Sequence, residues 1–238
     1  MIFLFAALLA VDSITLDIRT REVIERDWKD AERAIPVGSL VKPFTALAYS
    51  GDFPVVTCTG KHCWLKRGHG RVDFRKALAV SCNEYFLELA RGVDAQTLAV
   101  VAAKFGIAAP GDDLPETKIG LGTSWKISPV ALAGAYAELA SRSGEPRVRE
   151  ILDGLRMSAE SGTSSAIGRG FFAKTGTAPC VSEPRDAGDG FTIVLAPAEN
   201  PEKVLLVRVH GVPGAQAAKS ARGILRKTFC VNGSRCPM

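Results

Sequence analysis

A serine and a lysine three positions apart, Ser39 and Lys42, are the residues of this chain that most directly suggest chemistry. That spacing is close to one helical turn, so both side chains would lie on the same face of a helix. A serine hydroxyl is a weak nucleophile at neutral pH unless a base lies within hydrogen-bond reach. Lysine can be that base only when desolvation or a second cation lowers its pKa. The pair alone could equally be a helix start with a surface lysine, so its meaning depends on the rest of the chain.

Two further short motifs follow this pair along the chain. Residues 81–83 read SCN at the junction of two predicted helices, and residues 174–177 read KTGT on a predicted strand. Taken singly, each has an ordinary structural explanation: Ser81 and Asn83 could cap a helix, and Lys174 could protect an edge strand against aggregation. Three motifs that offer a hydroxyl, two amines and an amide in a fixed order are a much stronger indication of a catalytic site.

Hydrophobic periodicity predicts the elements that would position these motifs. The predicted strands are residues 13–17, 22–25, 170–177, 190–196 and 203–210. The predicted helices lie at about residues 39–51, 74–89 with a break at 81–83, 94–106, 128–144, 148–159 and 215–229. We expect Asp94, and Ser128 followed by Pro129, to begin two of these helices, because side-chain oxygens and an early proline suit the first turn.

The order of two strands, a long helical segment, three strands and one helix indicates an α+β fold. An antiparallel five-stranded sheet would carry the final helix on one face and the helical segment on the other. We therefore predict a single domain, residues 1–238, whose α/β lobe covers about residues 11–38 and 165–238. An all-helical lobe of about residues 39–164 would be inserted between the second and third strands.

Composition and charge argue against several other classes of protein. Apolar residues make up 47% and charged residues 23% of the chain, as is ordinary for a globular domain. The net charge of +5 comes without a basic stripe or interleaved aromatics, so we expect no nucleic-acid partner. No apolar run has the length of a transmembrane helix, so we expect no membrane anchor. The oligomeric state stays open.

The first ten residues, MIFLFAALLA, suggest a short export signal. A basic n-region is missing, and Leu8 is large for its position before a cut after Ala10. A truncated signal, a misplaced start and a buried first strand are alternatives. We favour export, and hence the periplasm or another extracytoplasmic part of the cell envelope.

The six cysteines leave the redox compartment open, because disulfide frameworks are typical of smaller domains. Two pairs are close enough in sequence to form disulfides: Cys58 with Cys63 and Cys230 with Cys236. The remaining two, Cys82 and Cys180, have no obvious partner.

The segment around Cys58, His62, Cys63 and His69 suggests a zinc site, because thiols and imidazoles gather there. Their spacing does not match a recognised zinc-finger pattern, and no second pair of ligands follows it. A loop disulfide or free thiols fit the pattern better. We therefore expect no metal and no cofactor.

With its flanking segments, the set of three motifs resembles the transpeptidase domain of penicillin-binding proteins, the serine acyltransferases that act on cell-wall peptides and are acylated by β-lactams. The resemblance covers nearly the whole chain. Besides the motifs it includes GSLVKPFT at residues 38–45, the approach to SCN at 68–86, IGLGTSWKISPVALAGAYAELA at 119–140, and the strand and turn at 190–202.

This resemblance implies an acyl-enzyme mechanism on D-Ala-D-Ala peptides of peptidoglycan, with β-lactams as further ligands. Ser39 would be the nucleophile and Lys42 its base, although the identity of that base is disputed in related enzymes. Ser81 would relay a proton to the leaving amine, and Asn83 would bind the amide of the substrate.

The third motif would bind the far end of the substrate. Lys174 would supply positive charge, keeping Lys42 neutral and attracting a terminal carboxylate. The hydroxyls of Thr175 and Thr177 would bind that carboxylate, and Gly176 would leave room for the substrate. The backbone N–H groups of Ser39 and Thr177 would form the oxyanion hole.

Related activities on this scaffold differ in the fate of the acyl-enzyme. A serine β-lactamase needs a base that positions water, and we find neither the E-x-x-L-N segment of one β-lactamase class nor the S-x-V motif of another. We therefore favour a D,D-transpeptidase or carboxypeptidase. A sensor module that binds β-lactam or peptidoglycan with little turnover is the alternative from a different functional class.

Overall fold

The computed structural model describes residues 10–180 and 188–229. The strands are β1 (Val11–Asp17), β2 (Val23–Asp27), β3 (Ile35–Pro36), β4 (Val56–Cys58), β5 (Gly70–Val72), β6 (Lys126–Ile127), β7 (Phe172–Ala178), β8 (Asp189–Ala196) and β9 (Lys203–His210). The helices are α1 (Lys42–Ala48), α2 (Phe74–Ala79), α3 (Asn83–Arg91), α4 (Ala95–Lys104), α5 (Pro115–Lys118), α6 (Pro129–Ser141), α7 (Pro146–Ser161) and α8 (Gly214–Phe229). A short 3-10 helix (Gly38–Val41) immediately precedes α1.

One antiparallel sheet, in the order β2-β1-β9-β8-β7, joins the two ends of the chain. Every residue of β8 is buried, and its alternate side chains enter two different cores. Val194 and Ala196 pack toward α8, whereas Ile193 and Leu195 face the helices that precede β7. The α+β class and the five-stranded antiparallel sheet are therefore confirmed.

The sequence predicts an all-helical segment between β2 and β7, and the structure differs from that prediction. The segment contains seven helices, and it also contains two small antiparallel ladders, β3 with β6 and β4 with β5. These strands have two or three residues each, too few to show an alternating pattern. The division of the chain into two lobes stays a prediction.

Helix starts follow the predicted local chemistry. The Asp94 carboxylate accepts a hydrogen bond from the backbone of Thr97 at 2.8 Å, and the Ser128 hydroxyl accepts one from Ala131 at 3.2 Å. Pro43 lies in the first turn of α1, where its missing N–H is not needed. The first predicted helix is shorter than expected, because a 3-10 turn carries Ser39 and α1 ends at Ala48.

Some sequence-based expectations fall outside the described residues. These are the proposed export signal before residue 10 and the possible pairing of Cys230 with Cys236. Among the helices within the described ranges, none is long and apolar enough to cross a membrane.

Two glycines allow the 3-10 helix to lie directly against β7. Gly38 has a φ of +59°, and a Cβ atom there would lie 2.4 Å from the carbonyl oxygen of Thr177. A Cβ atom on Gly176 would lie 2.5 Å from the Val37 carbonyl oxygen. Real Cβ atoms do not approach other atoms this closely, so any side chain at either position would push the two segments apart.

We predict that Gly176→Ala lowers the free energy of unfolding by about 1–3 kcal/mol, because the added methyl group clashes with fixed backbone. The matched control is Gly223→Ala in the exposed part of α8, where a Cβ atom would meet nothing within 4 Å. That substitution should raise stability by about 0.5–1 kcal/mol, since alanine favours helix. Urea denaturation measures both effects. Equal stabilities for the two variants would show that the contact at Gly176 is not close.

Candidate active site

The three motifs line one groove between β7 and the helical segment. Ser39 comes from the 3-10 helix, Ser81 and Asn83 from the junction of α2 and α3, and Thr177 from edge strand β7. The described residues that line the groove are Ser39, Trp64, Ser81, Asn83, Leu121, Thr163, Thr175, Gly176, Thr177, Pro213, Gly214 and Ala215.

The hydroxyl of Ser81 is the point where the motifs meet. The Nζ atom of Lys174 donates a hydrogen bond to Ser81 Oγ at 2.8 Å, and the Nζ atom of Lys42 donates one at 3.3 Å. Both lysine side chains have no solvent exposure, and Ser81 is 6% exposed. The structure therefore brings three residues that are far apart in sequence into direct contact, with both lysine side chains fully buried.

Residues of the second motif also bind the amine of Lys42. Its Nζ atom also donates to the Asn83 side-chain oxygen at 2.7 Å and to the Ser81 carbonyl oxygen at 3.0 Å. Burial lowers the pKa of Lys42 to about 7, although the nearby thiols of Cys82 and Cys63 act in the opposite direction. An amine with this pKa is partly neutral at physiological pH and can accept a proton.

The side chain of Lys174, which also contacts the Ser81 hydroxyl, is fully buried like that of Lys42. Its pKa is lowered well below the ordinary lysine value, first because the side chain is buried and second because Lys42 is a neighbouring like charge. Besides Ser81, its Nζ atom donates to the carbonyl oxygen of Thr175 at 2.8 Å. Two buried amines around one hydroxyl cannot both remain protonated at low cost, so the charge in this part of the site is adjustable.

Ser81 adopts a strained backbone conformation. Its φ is +52°, in the left-handed region that a residue with a side chain occupies at a cost of about 1–3 kcal/mol. Neighbouring contacts hold the turn: Trp64 Nε1 donates to the Val80 carbonyl oxygen at 3.1 Å, and Thr163 Oγ1 donates to that of Ala79 at 3.3 Å. Together they direct the Ser81 hydroxyl toward both lysines.

Ser39 lines the groove and is partly exposed. It directly follows Gly38, whose backbone lies against β7. Within the described ranges its hydroxyl makes no hydrogen bond. The position of a Cβ atom on Gly38 lies 2.8 Å from the backbone nitrogen of Thr177, so the backbones at 38–39 and 177 are adjacent. This adjacency is what an oxyanion hole made from the N–H groups of Ser39 and Thr177 requires.

The remaining residues of the KTGT motif have partners that the sequence did not reveal. Thr175 Oγ1 donates to Thr163 Oγ1 at 2.6 Å, and Thr177 Oγ1 accepts from the Gly214 backbone at 3.0 Å. The Thr177 hydroxyl can still donate its own hydrogen to a ligand. Gly176 was expected to leave room for substrate, but its missing side chain is required by Val37.

Some groove residues could not have been found from the sequence. Thr163 and Gly214 belong to no motif, and they enter the site only because α7 ends and α8 begins beside β7. Trp64 also lies outside the three motifs; it lines the groove and is 53% exposed. These three residues line the groove because of their position relative to the sheet, which a single sequence does not give.

The thiols behind Ser81 agree with one of the two alternatives that the sequence left open, free thiols. Cys58 and Cys63 are both free, so the loop disulfide that we considered is not formed. Cys82, for which we found no partner, lies beside them together with His69. His62, which we grouped with them, points instead to solvent.

Comparison with known proteins supports the family suggested by the motifs. The family model for the penicillin binding protein transpeptidase domain matches residues 55–229. This match covers the second and third motifs and begins after Ser39 and Lys42. No curated protein matches the chain.

Solved structures share the fold at low sequence identity. The chain is 18% identical to Pseudomonas aeruginosa PBP2, solved in complex with WCK 5153, with a TM-score of 0.77 over 92% of this chain and 70% of that one. It is 17% identical to the D,D-transpeptidase domain of a peptidoglycan glycosyltransferase from Eggerthella lenta, with a TM-score of 0.77 over 95% and 79%. Helicobacter pylori PBP2, solved in complex with MreC, is 16% identical with a TM-score of 0.77, and the matched region covers 94% of this chain but only 61% of that protein. This chain belongs to the penicillin-binding protein transpeptidase domain family.

Proposed function

We propose that this chain is a penicillin-binding, serine acyl-transfer enzyme that acts on D-Ala-D-Ala peptides of peptidoglycan as a D,D-transpeptidase or carboxypeptidase. The observation that carries the proposal is the meeting of Lys42 and Lys174 at the Ser81 hydroxyl, in the groove that also contains Ser39. Peptidoglycan lies outside the cytoplasm, so the enzyme would work in the cell envelope.

Acylation would begin at Ser39. Its Oγ atom attacks the carbonyl carbon of the penultimate D-alanine, and its proton passes to the neutral amine of Lys42, one helical turn away. The negative charge that develops on the carbonyl oxygen is stabilised by the backbone N–H groups of Ser39 and Thr177. Each donor of this kind typically contributes about 3–4 kcal/mol to transition-state stabilisation.

Departure of D-alanine needs a proton, and Ser81 is placed to supply it. When the C–N bond breaks, the Ser81 hydroxyl gives its proton to the leaving amine and regains one from Lys42 through their hydrogen bond. The acyl group stays on Ser39 until an amine or water attacks. With an amine acceptor the product is a cross-link, and with water it is a shortened peptide.

Substrate recognition would use the groups that the protein itself leaves available. The Asn83 oxygen is engaged by Lys42, so its NH2 group remains free to donate to a substrate carbonyl. Thr177, whose hydroxyl can still donate, lies on the opposite side beside Thr175 and Lys174, where the terminal carboxylate would bind. Binding this anion would favour the protonated form of Lys174, because an opposite charge offsets the cost of burial.

Labelling with a fluorescent penicillin tests the proposal directly. We expect a covalent adduct with the wild-type protein that maps to Ser39, and no adduct with Ser39→Ala. Ser50→Ala, an exposed serine outside the groove, is the matched control and should label normally. An adduct that persists in Ser39→Ala would contradict the assignment of the nucleophile.

The fate of the label separates the related activities. Release of D-alanine from a pentapeptide supports the proposed enzyme. Rapid loss of label from the wild-type protein would instead indicate a serine β-lactamase. A stable label without D-alanine release, even with an amine acceptor present, would indicate a sensor module.

The rate of acylation should rise with pH through about 7. The pKa of Lys42 is lowered from its ordinary value of 10.5 to about 7, so the neutral amine becomes the main form above that pH. Lys42→Arg, whose guanidinium does not lose its proton, should acylate slowly at every pH. Stopped-flow labelling at a series of pH values measures both, and a flat wild-type profile would argue against Lys42 as base.

The same shift affects stability. Between about pH 7 and 10.5 the unfolded chain holds a proton that folded Lys42 has lost, so the folded protein should gain stability as pH rises through that window. Lys42→Met keeps the apolar stem and should lose this part of the pH dependence. Urea denaturation at several pH values measures it. Identical slopes for the two proteins would contradict the lowered pKa.

A further inference from the structure

Four potential metal ligands converge directly behind the second motif. Cys58 ends β4, Cys63 lies in the turn that follows, His69 precedes β5, and Cys82 separates Ser81 from Asn83. The three sulfur atoms and one imidazole nitrogen all lie within 4.8 Å of one another. All three thiols are buried and free.

The distances among these atoms match those of a tetrahedral metal site. His69 Nδ1 lies 3.5 Å from the sulfur of Cys58 and 3.5 Å from that of Cys63, and the sulfurs of Cys63 and Cys82 are 3.9 Å apart. With Zn–S bonds of about 2.3 Å and Zn–N bonds of about 2.0–2.1 Å, tetrahedral angles place two sulfurs about 3.8 Å apart and a sulfur and a nitrogen about 3.6 Å apart. A disulfide would require about 2.05 Å between two sulfurs.

Hydrogen bonding alone leaves this cluster poorly satisfied. The Nδ1 atom of His69 has two sulfur neighbours at the same distance, but one nitrogen can form a good hydrogen bond with only one of them. A cation at the centre would bind the lone pairs of all four donors at once, which offsets the cost of burying them.

One backbone hydrogen bond supports a thiolate in this cluster. The N–H group of Asn83 donates to the Cys63 sulfur at 3.4 Å. Outer hydrogen bonds of this kind orient the ligands of metal sites and stabilise their charge.

The loop that carries two of the ligands folds too tightly for side chains at its glycines. Gly60 has a φ of +91°, and a Cβ atom there would lie 2.1 Å from the Lys66 carbonyl oxygen. Gly68 has a φ of +73°, and a Cβ atom there would lie 2.2 Å from the Cys58 carbonyl oxygen. The Glu84 carboxylate closes the loop by accepting from the backbones of Thr59, Gly60 and His62, at 2.6, 3.0 and 3.2 Å.

We propose that Cys58, Cys63, His69 and Cys82 bind one zinc ion as a structural site that fixes the active-site groove. Four protein ligands leave no open position for substrate or water, which distinguishes a structural site from a catalytic one. Binding would release the three thiol protons to solvent and leave the imidazole neutral, so affinity falls as pH falls. From the sequence we expected no metal. The fourth proposed ligand, Cys82, lies outside the segment that carries the other three, so the sequence did not suggest it.

The ion would hold two walls of the groove. Cys82 is covalently linked to both Ser81 and Asn83, so a metal bond to its sulfur fixes the strained turn that presents these residues. His69 stacks edge-on against Trp64, with ring centroids 5.3 Å apart, and Trp64 lines the groove. This coupling to the groove rests on the proposed function, whereas the binding of metal does not.

Metal content and cobalt spectroscopy test the site. We expect the full-length protein, purified without chelator, to carry about one zinc per chain. After exchange, cobalt(II) should give the intense visible bands and thiolate charge-transfer band of a tetrahedral sulfur-rich site. His69→Ala should lose most of the bound metal, and the matched control His62→Ala, exposed in the same loop, should keep it.

Several results would overturn the proposal. One is the absence of zinc or cobalt binding by the reduced protein, and another is a disulfide within the cluster of the native protein. A third is metal that is lost in His210→Ala but kept in His69→Ala, which would place the ion at the separate group of Cys180, Asp189 and His210. Should His69→Ala fold poorly, Cys58→Ser with its cobalt spectrum provides the same test at another ligand.

Coupling to the groove has its own readout. Removal of zinc should slow labelling by the fluorescent penicillin at least tenfold, and added zinc should restore it. Ser39→Ala should keep its zinc, so a protein that binds metal but never labels would refute the proposed function and leave the metal site standing. Unchanged labelling after complete removal of zinc would overturn the claim that the ion fixes the groove.

Discussion

Burial of two amines around the Ser81 hydroxyl is the constraint on which the site depends. Lys42 and Lys174 are both fully buried, and both donate to the same oxygen. Moving a charged amine out of water is costly, and a second like charge nearby adds to the cost. The site therefore favours a neutral amine at Lys42, and in the proposed mechanism this neutral amine is the base for Ser39. A solvent-exposed Lys42 would stay protonated and could not take that role.

Several close contacts in the fold hold the two lysines and Ser81 in this buried arrangement. Gly38 and Gly176 let the 3-10 helix lie against β7, and no larger residue would fit at either position. The strained backbone of Ser81 is tolerated because contacts on both sides hold its turn. In the proposed site the sulfur of Cys82 adds a metal bond to this turn. Packing, strain and ligation thus act on the same few atoms.

The sequence predicted the parts of the fold that have strong local signals. Long alternating segments gave all five strands of the sheet, and Asp94 and Ser128 marked helix starts through their side-chain oxygens. Strands β3 to β6 were not predicted, because segments of two or three residues show no periodicity. Cys82 was missed as a partner of Cys58 because only tertiary structure brings them together. Gly176 lines the groove, but the reason for a glycine there, the approach of Val37, is equally a tertiary contact.

The protonation state of Lys42 is the central claim, and heteronuclear NMR can measure it in the intact protein. The side-chain Nζ and Cε resonances of Lys42, assigned by their loss in Lys42→Arg, report its titration directly. We predict a transition near the pKa of about 7 that burial imposes. A transition at the ordinary lysine value of 10.5 would show that the amine stays charged at working pH, and Lys42 could not then be the base for Ser39.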